Sequence, residues 1–279
     1  MTPTDPASLK QTLESGAQHE VWEKAYRVAR AEMFYEKVFD WLAAHAGLQP
    51  GATVLDIGCG MGAHAVRLAQ HGFNVMAADF SPDRVAAAKS YVHSQEMEKQ
   101  IQVREEDLRS GLSFPAESFD GVLCWGVLMH IHENERAMSE LVRVTRKNGI
   151  IILAEANFFS FDGMASLGMG LVKRMLGSKQ RKSIRWTRYG MEYLTSTPSG
   201  DLVVRHSRIP EVIRYFKDQG CGLRYRVAGQ FTESFTRLGQ GRFAAAIHAF
   251  NSAWFSVLRW PYFSVGNVLV LERKAPEKR

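Results

Sequence analysis

Cysteine is scarce and unpatterned in this sequence. Its 279 residues hold three, Cys59, Cys124 and Cys221. Their odd number and the lack of any CxxC spacing exclude a disulfide framework and a cysteine zinc site. Cys124 lies inside an apolar run and reads as a small core residue, and a reducing, cytoplasmic compartment is the simplest expectation. Long apolar runs are lacking too. The longest candidate, residues 158–172, is interrupted by Asp162 and three glycines, whereas a spanning helix needs ~18 uninterrupted apolar residues. The opening MTPTDPASLKQTLESGAQHE is polar throughout and has no apolar core of a signal peptide. No cluster of His, Cys, Asp and Glu has metal-ligand spacing, so no metal is expected. Internal repeats and low-complexity tracts are absent.

What is present is the composition of a folded chain. At 46% hydrophobic and 11% aromatic, the sequence can bury the core of one large domain or two small ones. The net charge of +6 is unevenly spread: residues 160–260 hold sixteen Lys/Arg against six Asp/Glu, while the remainder is slightly acidic. A near-neutral first half is thus followed by a basic, aromatic-rich region.

Residues 21–46 repeat apolar and aromatic positions at three and four spacing and predict an amphipathic helix ended by Gly47 and Pro50-Gly51. Strands and helices then alternate. TVLDI is a strand, residues 63–70 a helix, FNVMAAD a strand, and Ser81-Pro82 caps a helix running through AAAKSYV. IQVREED and SFDGVLCW are strands, residues 133–146 a helix, and GIIILAEA a strand with the continuous apolar character of a buried parallel sheet. Such alternation predicts βαβ units and a Rossmann-like, doubly wound α/β sheet. After Asn157 the rhythm breaks into an irregular region with basic, helix-like pieces. A helix over 210–219, a strand CGLRYRVA, a helical stretch over 243–258 and a final strand NVLVLERK follow.

The most informative stretch is VLDIGCGMGAH, residues 54–64. Gly58, Gly60 and Gly62 occupy the turn from the first strand into its helix, where an open α/β sheet binds its ligand. The spacing also fits the relaxed dinucleotide fingerprint. Asp56 separates the two readings. A carboxylate at the strand end repels a pyrophosphate but suits a ligand that carries an ammonium and a sulfonium, as S-adenosylmethionine does. Asp79 ends the second strand, where an acid accepts hydrogen bonds from ribose hydroxyls in either reading. Asp107 follows the third strand, within reach of an exocyclic adenine amine. No basic residue lies in the loop.

Together, VLDIGCGMGAHAVRLAQHGFNVMAADFSPDRVAAAK, DLRSGLSFPAESFDGVLCWGVLMHI and RVTRKNGIIILAE resemble the ordered motifs of class I S-adenosylmethionine-dependent methyltransferases, in particular the broad type-11-like group that acts on small molecules. The resemblance covers about residues 50–156. It implies a seven-stranded, mostly parallel sheet with N-terminal helices and helical insertions after strands 5 and 6. Residues 1–49 would form a helical lid, 50–156 the cofactor-binding core, 157–209 an acceptor-binding insertion, and 210–279 the end of the core with a second insertion at 231–264, all in one compact domain. Asp56, Gly58 and Gly60 would hold the methionine part of the cofactor, Asp79 the ribose, and Asp107 with Leu108 the adenine, with Phe80 a further cofactor-binding position. Trp125 and Gly126 would line the floor under the sulfonium. Trp22, Tyr26 and Arg30 share one helical face and would close over the methionine end, or else serve as ordinary packing positions.

Methyl transfer needs an aligned nucleophile and, where that group is protonated, a base. His130 follows the fourth strand beside the expected methyl position and is the candidate, with His132 behind it. In relatives a histidine here is often structural, so both roles stay open. The Asn/Asp-Pro-Pro-Tyr/Phe signature of many amino-methylating enzymes is replaced by CWGVLM, which argues against DNA bases and peptide glutamine as acceptors. In KQRKSIRWTRYGMEYL, Arg185 and Arg188 would clamp an acidic group while Tyr189 and neighbouring aromatics stack a ring; a solvated basic face is the alternative. His206 and Tyr215 are further candidates near the acceptor. The expected reaction is methyl transfer to an oxygen or nitrogen of a small aromatic or acidic metabolite. The rivals are an RNA acceptor, disfavoured because no nucleic-acid module is recognisable, and a lipid or quinone acceptor. For the latter, LGMGLVKRMLGSKQRK and WFSVLRWPYF have the character of interfacial segments. A homodimer is compatible with the sequence.

Overall fold

The structure is a computed structural model that describes residues 29–132, 134–175, 184–197, 200–233 and 241–275. Trp22 and Tyr26 lie outside the described residues, and for Arg30 only the backbone is described. The chain divides into two compact units, each built from separate stretches. One comprises Val38–Ala154, Ile213–Arg226 and Val268–Arg279; the other comprises Met1–Lys37, Glu155–Val212 and Val227–Asn267.

The first unit is organised by a seven-stranded sheet of order β3-β2-β1-β4-β5-β10-β9. Its strands are β1 (Thr53–Ile57), β2 (Asn74–Asp79), β3 (Ile101–Glu105), β4 (Phe119–Trp125), β5 (Thr145–Ala156), β9 (Cys221–Ala228) and β10 (Gly266–Arg273). β1 pairs in parallel with β2 and β4, β2 with β3, and β4 with β5. Helices α1 (Ala29–His45), α2 (Ala63–Gln70), α3 (Pro82–Ser94), α4 (Asn134–Val144) and α6 (Ile209–Asp218) accompany the strands. This is the predicted doubly wound architecture, and most boundaries fall within one or two residues of the sequence reading.

Local chemistry explains these boundaries. Val54, Leu55 and Ile57 are fully buried, as are Val122, Leu123 and Cys124 of β4 beside them. Central parallel strands covered on both faces take such runs. Ser81 caps α3, its Oγ accepting from the Arg84 amide at 3.4 Å, with Pro82 in the first turn; proline loses nothing there because its missing N–H would have had no helical partner. Gly62 precedes α2 with φ +84°. β5 begins four residues before the predicted Gly149. Its pairing with β4 shifts between Phe119 and Gly121, around Asn148 at φ +61°, so the apolar GIIILAEA segment is the regular part and RKN an irregular lead-in.

In the second unit the sequence reading is corrected in one respect. The region after β5 is not only helical. Helix α5 (Phe161–Met175) is followed by a separate three-stranded antiparallel sheet of β6 (Ile184–Thr187), β7 (Gly190–Thr197) and β8 (Gly200–Ser207). The pairing register sets Glu192 between Arg185 and Arg205. Glu192 and Arg205 form a fully buried ion pair, with the Arg205 Nε–Glu192 Oε1 bond at 3.0 Å. Charged residues at inward positions break the apolar–polar alternation by which a strand is recognised, and this hid the sheet. The insertion after β9 is helical as predicted, being α7 (Arg242–Val257).

Candidate active site

The strand order reverses between β1 and β4, so the crevice at their carboxyl ends is where this architecture binds ligands. The glycine loop leaves β1 at that point. Gly58, Gly60 and Gly62 all have positive φ, at +73°, +55° and +84°, a region that side chains with a Cβ adopt at a cost. Gly58 is also sterically required, because a Cβ there would overlap the Val127 side chain on the segment after β4. Gly60 differs, since no atom stands within 4 Å of where its Cβ would point. Gly126, at the tip of β4, is open in the same way, with φ +68°. These two glycines leave free space on the loops after β1 and β4.

Asp79 braces this loop, and Asp56 stands near the end of the strand that feeds it. Asp79 accepts from the Gly60 amide at 2.9 Å and from the Ser81 amide at 3.0 Å. Its pKa is nonetheless raised, burial outweighing these bonds. Asp56 is 1% exposed. Burial, and then the charge of Asp79, push its carboxyl up to about 7, while the Ala65 amide and Arg67 pull the other way. Its Oδ2 has no hydrogen-bond partner among the described residues. Two buried carboxyls one loop apart, one of them incompletely satisfied, make a site whose electrostatics favour a cation over an anion. Arg67, one turn into α2, offsets only part of this field. The thiol of Cys59 is pushed up by burial and by both acids, which argues against a thiolate nucleophile.

The adenine-side candidates also meet, through a residue that sequence reasoning missed. Arg109 grips Asp107 through Nε at 2.9 Å and Nη2 at 2.8 Å, and its guanidinium lies over the Phe80 ring at 4.6 Å. Leu108 between them is buried. A second missed group surrounds Trp125. Its indole lies 5.1 Å from the His64 ring and 5.7 Å from Phe39, while His64 stacks on Phe39 at 5.0 Å. Arg67 Nη1 and His64 Nδ1 are 3.0 Å apart, so the imidazole accepts there. The only sequence signal for this group was a histidine directly after the glycine loop. His130 ends a 3-10 turn over Leu128–His130, with its amide bonded to the Val127 carbonyl at 3.0 Å, and is half-buried; His132 is half-buried as well.

Of the remaining candidates, Arg188, His206 and Tyr215 each have their own partners. Arg185 is exposed on β6. Arg188 faces Glu211 at 3.7 Å and lies over Tyr189, itself buried. His206 Nε2 meets the Tyr193 hydroxyl at 3.1 Å. Tyr215 donates to the Glu135 carbonyl at 2.9 Å. No group of three or more potential metal ligands occurs among the described residues.

The fold is that of solved S-adenosylmethionine-dependent methyltransferases. The family model described as a methyltransferase domain matches residues 55–153. The chain is 35% identical over 120 residues to a phosphatidylethanolamine N-methyltransferase of Cereibacter sphaeroides, covering 43% of this chain and 57% of that one. It is 26% identical over 156 residues to a ubiquinone biosynthesis O-methyltransferase of Azoarcus sp., covering 56% and 65%. It thus spans less than two thirds of the length of these curated relatives. Among solved structures it shares its fold with the magnesium protoporphyrin IX methyltransferase of Synechocystis, determined with bound SAH, at TM-score 0.57 and 18% identity over 96% of this chain and all of that one.

Proposed function

We propose that this protein is an S-adenosylmethionine-dependent methyltransferase that methylates an oxygen or nitrogen of a small acceptor. The observation that carries the reading is the pair of buried acids, Asp56 and Asp79, beneath a glycine loop free of basic residues and open at Gly60. The methionine part of the cofactor would lie along Gly58–Gly60, its ribose hydroxyls at Asp79, and its adenine beside Asp107, Leu108 and Phe80. When bound, the cofactor supplies an activated methyl carbon: its S–C bond breaks as a C–O or C–N bond forms, and the acceptor's proton departs. The chain's own work is alignment and proton removal. Glycines without side chains admit close approach, Trp125 and Gly126 bound the space after β4, and His130 takes the proton.

The binding test is calorimetric titration with S-adenosylmethionine, S-adenosylhomocysteine and NAD side by side. Affinities of micromolar order for the first two and none for NAD are expected; binding of NAD alone overturns the reading. His130→Ala is expected to lower turnover on an identified acceptor by about 10²–10³-fold, with cofactor affinity unchanged. Near-normal turnover assigns this histidine to structure.

A small aromatic or acidic metabolite is the acceptor that the sequence favours. A second reading, a lipid or quinone, is supported by the named activities of the similar proteins, which include those of the phosphatidylethanolamine and ubiquinone enzymes. Radiolabelled methyl transfer into lipid extract against aqueous metabolite extract separates the two.

A further inference from the structure

Exposed apolar surface is concentrated in one of the two units. Among the described residues nineteen large apolar side chains are exposed, and sixteen of them fall in residues 159–186 and 243–263. On α5, Phe161, Met164, Val172 and Met175 lie on one helical face, and on α7 Phe243, Phe250 and Val257 do so at seven-residue spacing. Phe243 and Val257 are 76% exposed. The two stretches meet. The Phe161 amide donates to the Phe263 carbonyl at 2.9 Å, and the Phe161 ring neighbours Phe231, which packs on Phe250 and Trp254. Trp254 Nε1 donates to the Trp260 carbonyl at 3.3 Å, and the Trp260 ring touches Tyr262 and Phe263. These contacts join Phe161, Phe231, Phe250, Trp254 and the Trp260–Phe263 segment into one aromatic cluster, flanked along α5 and α7 by the exposed apolar side chains.

Its charge is one-sided. Residues 159–191 contain seven Lys/Arg and one acid, Asp162, which is bonded to the Thr232 hydroxyl and the Glu233 amide, and residues 241–264 contain two Lys/Arg and no acid. Contiguous exposed apolar area of this kind marks an interaction surface. Exposed Trp186, Trp260 and Tyr262, with the exposed Arg185 and Arg242 in the same unit, suit the headgroup zone of an anionic bilayer. No helix among the described residues is long and apolar enough to cross a membrane, so the surface suits a contact that lies in the interface plane.

We propose that this face docks the protein onto anionic phospholipid bilayers, with the α7 stripe and the Trp260–Phe263 segment entering the headgroup region. The proposal holds whichever acceptor is methylated and is tested without cofactor. The full chain is floated with vesicles of phosphatidylcholine alone and of phosphatidylcholine with phosphatidylglycerol in equal parts. Binding to the mixed vesicles, weaker on phosphatidylcholine and reduced but not lost at high salt, is expected. The paired substitutions Phe243→Ser/Val257→Ser and Trp260→Ser/Tyr262→Ser are each expected to weaken vesicle binding by about tenfold or more. Leu223→Ser, at an exposed residue of β9, leaves it unchanged. Circular dichroism and melting curves identify any variant that fails to fold, and acrylamide quenching of wild-type tryptophan fluorescence on vesicle addition reads insertion without any substitution. Vesicle binding unaffected by both pairs, or tryptophan quenching unchanged by vesicles, overturns the proposal. So does a dimer in light scattering that the same pairs dissociate, which would make this surface a contact between copies of the chain.

Discussion

Gly58→Ala is expected to abolish measurable cofactor binding and to lower the melting temperature together. The glycine's φ of +73° costs an L-residue roughly 1–2 kcal/mol. Overlap of the new methyl with Val127 adds about 1–3 kcal/mol of overpacking, and relieving it moves the segment after β4 that carries Gly126 and His130. The combined loss of about 2–5 kcal/mol corresponds to roughly 5–15 °C in a chain of this size. Gly60→Ala is the informative partner. It meets no protein atom, so only the left-handed backbone cost remains and stability falls by about 1–2 kcal/mol. Its methyl, however, enters the free space assigned to the cofactor, and affinity is expected to fall at least tenfold, about 1.4 kcal/mol. Differential scanning fluorimetry and calorimetry on both variants separate these effects. A Gly60→Ala protein binding S-adenosylmethionine as tightly as wild type would show that this space is not ligand space.

Asp56→Asn is expected to stabilise the protein at pH 8 while weakening its hold on a sulfonium ligand. Burial and Asp79 raise the Asp56 carboxyl from 3.8 to about 7. Between those values the folded chain retains a proton that the unfolded chain has released. The stabilisation is therefore full below pH ~4 and is lost as pH rises through 7. Its ceiling is about 4 kcal/mol, and the coupled titration of Asp79 shares in it. Urea unfolding at pH 5 and pH 8 should show wild type losing more stability than the asparagine variant over that interval; parallel losses would contradict the assignment. Binding gives the converse sign. A sulfonium favours the ionised carboxylates, so affinity for S-adenosylmethionine should rise from pH 6 to pH 8, with proton release on binding. S-adenosylhomocysteine, whose sulfur is uncharged, should show a shallower rise. Equal slopes for both would mean that the acids do not sense the sulfonium.

The order of elements through β5 was legible because each signal was local. Apolar runs marked the buried strands, Ser81-Pro82 a helix start, and three glycines a turn that no other residue makes cheaply. Asp56, Asp79 and Asp107 were legible as strand-end acids for the same reason. What escaped depended on partners distant in the chain. Glu192 and Arg205 carry no local signal that each is buried against the other. No spacing rule links Arg109 to Phe80, because the pairing is made by the turn after β3 meeting the end of β2. Phe39 reads as one apolar position of a helix until His64 and Trp125 are set against it.

The strand order of the large sheet also constrains how it can be made. β10, the last strand along this sequence, lies between β5 and β9 rather than at an edge. During synthesis β5 and β9 therefore emerge well before the strand that joins them. Until it arrives, each presents an unpaired edge, the arrangement most exposed to wrong pairing. The sheet cannot grow outward one strand at a time; it closes only when residues 266–273 have left the ribosome.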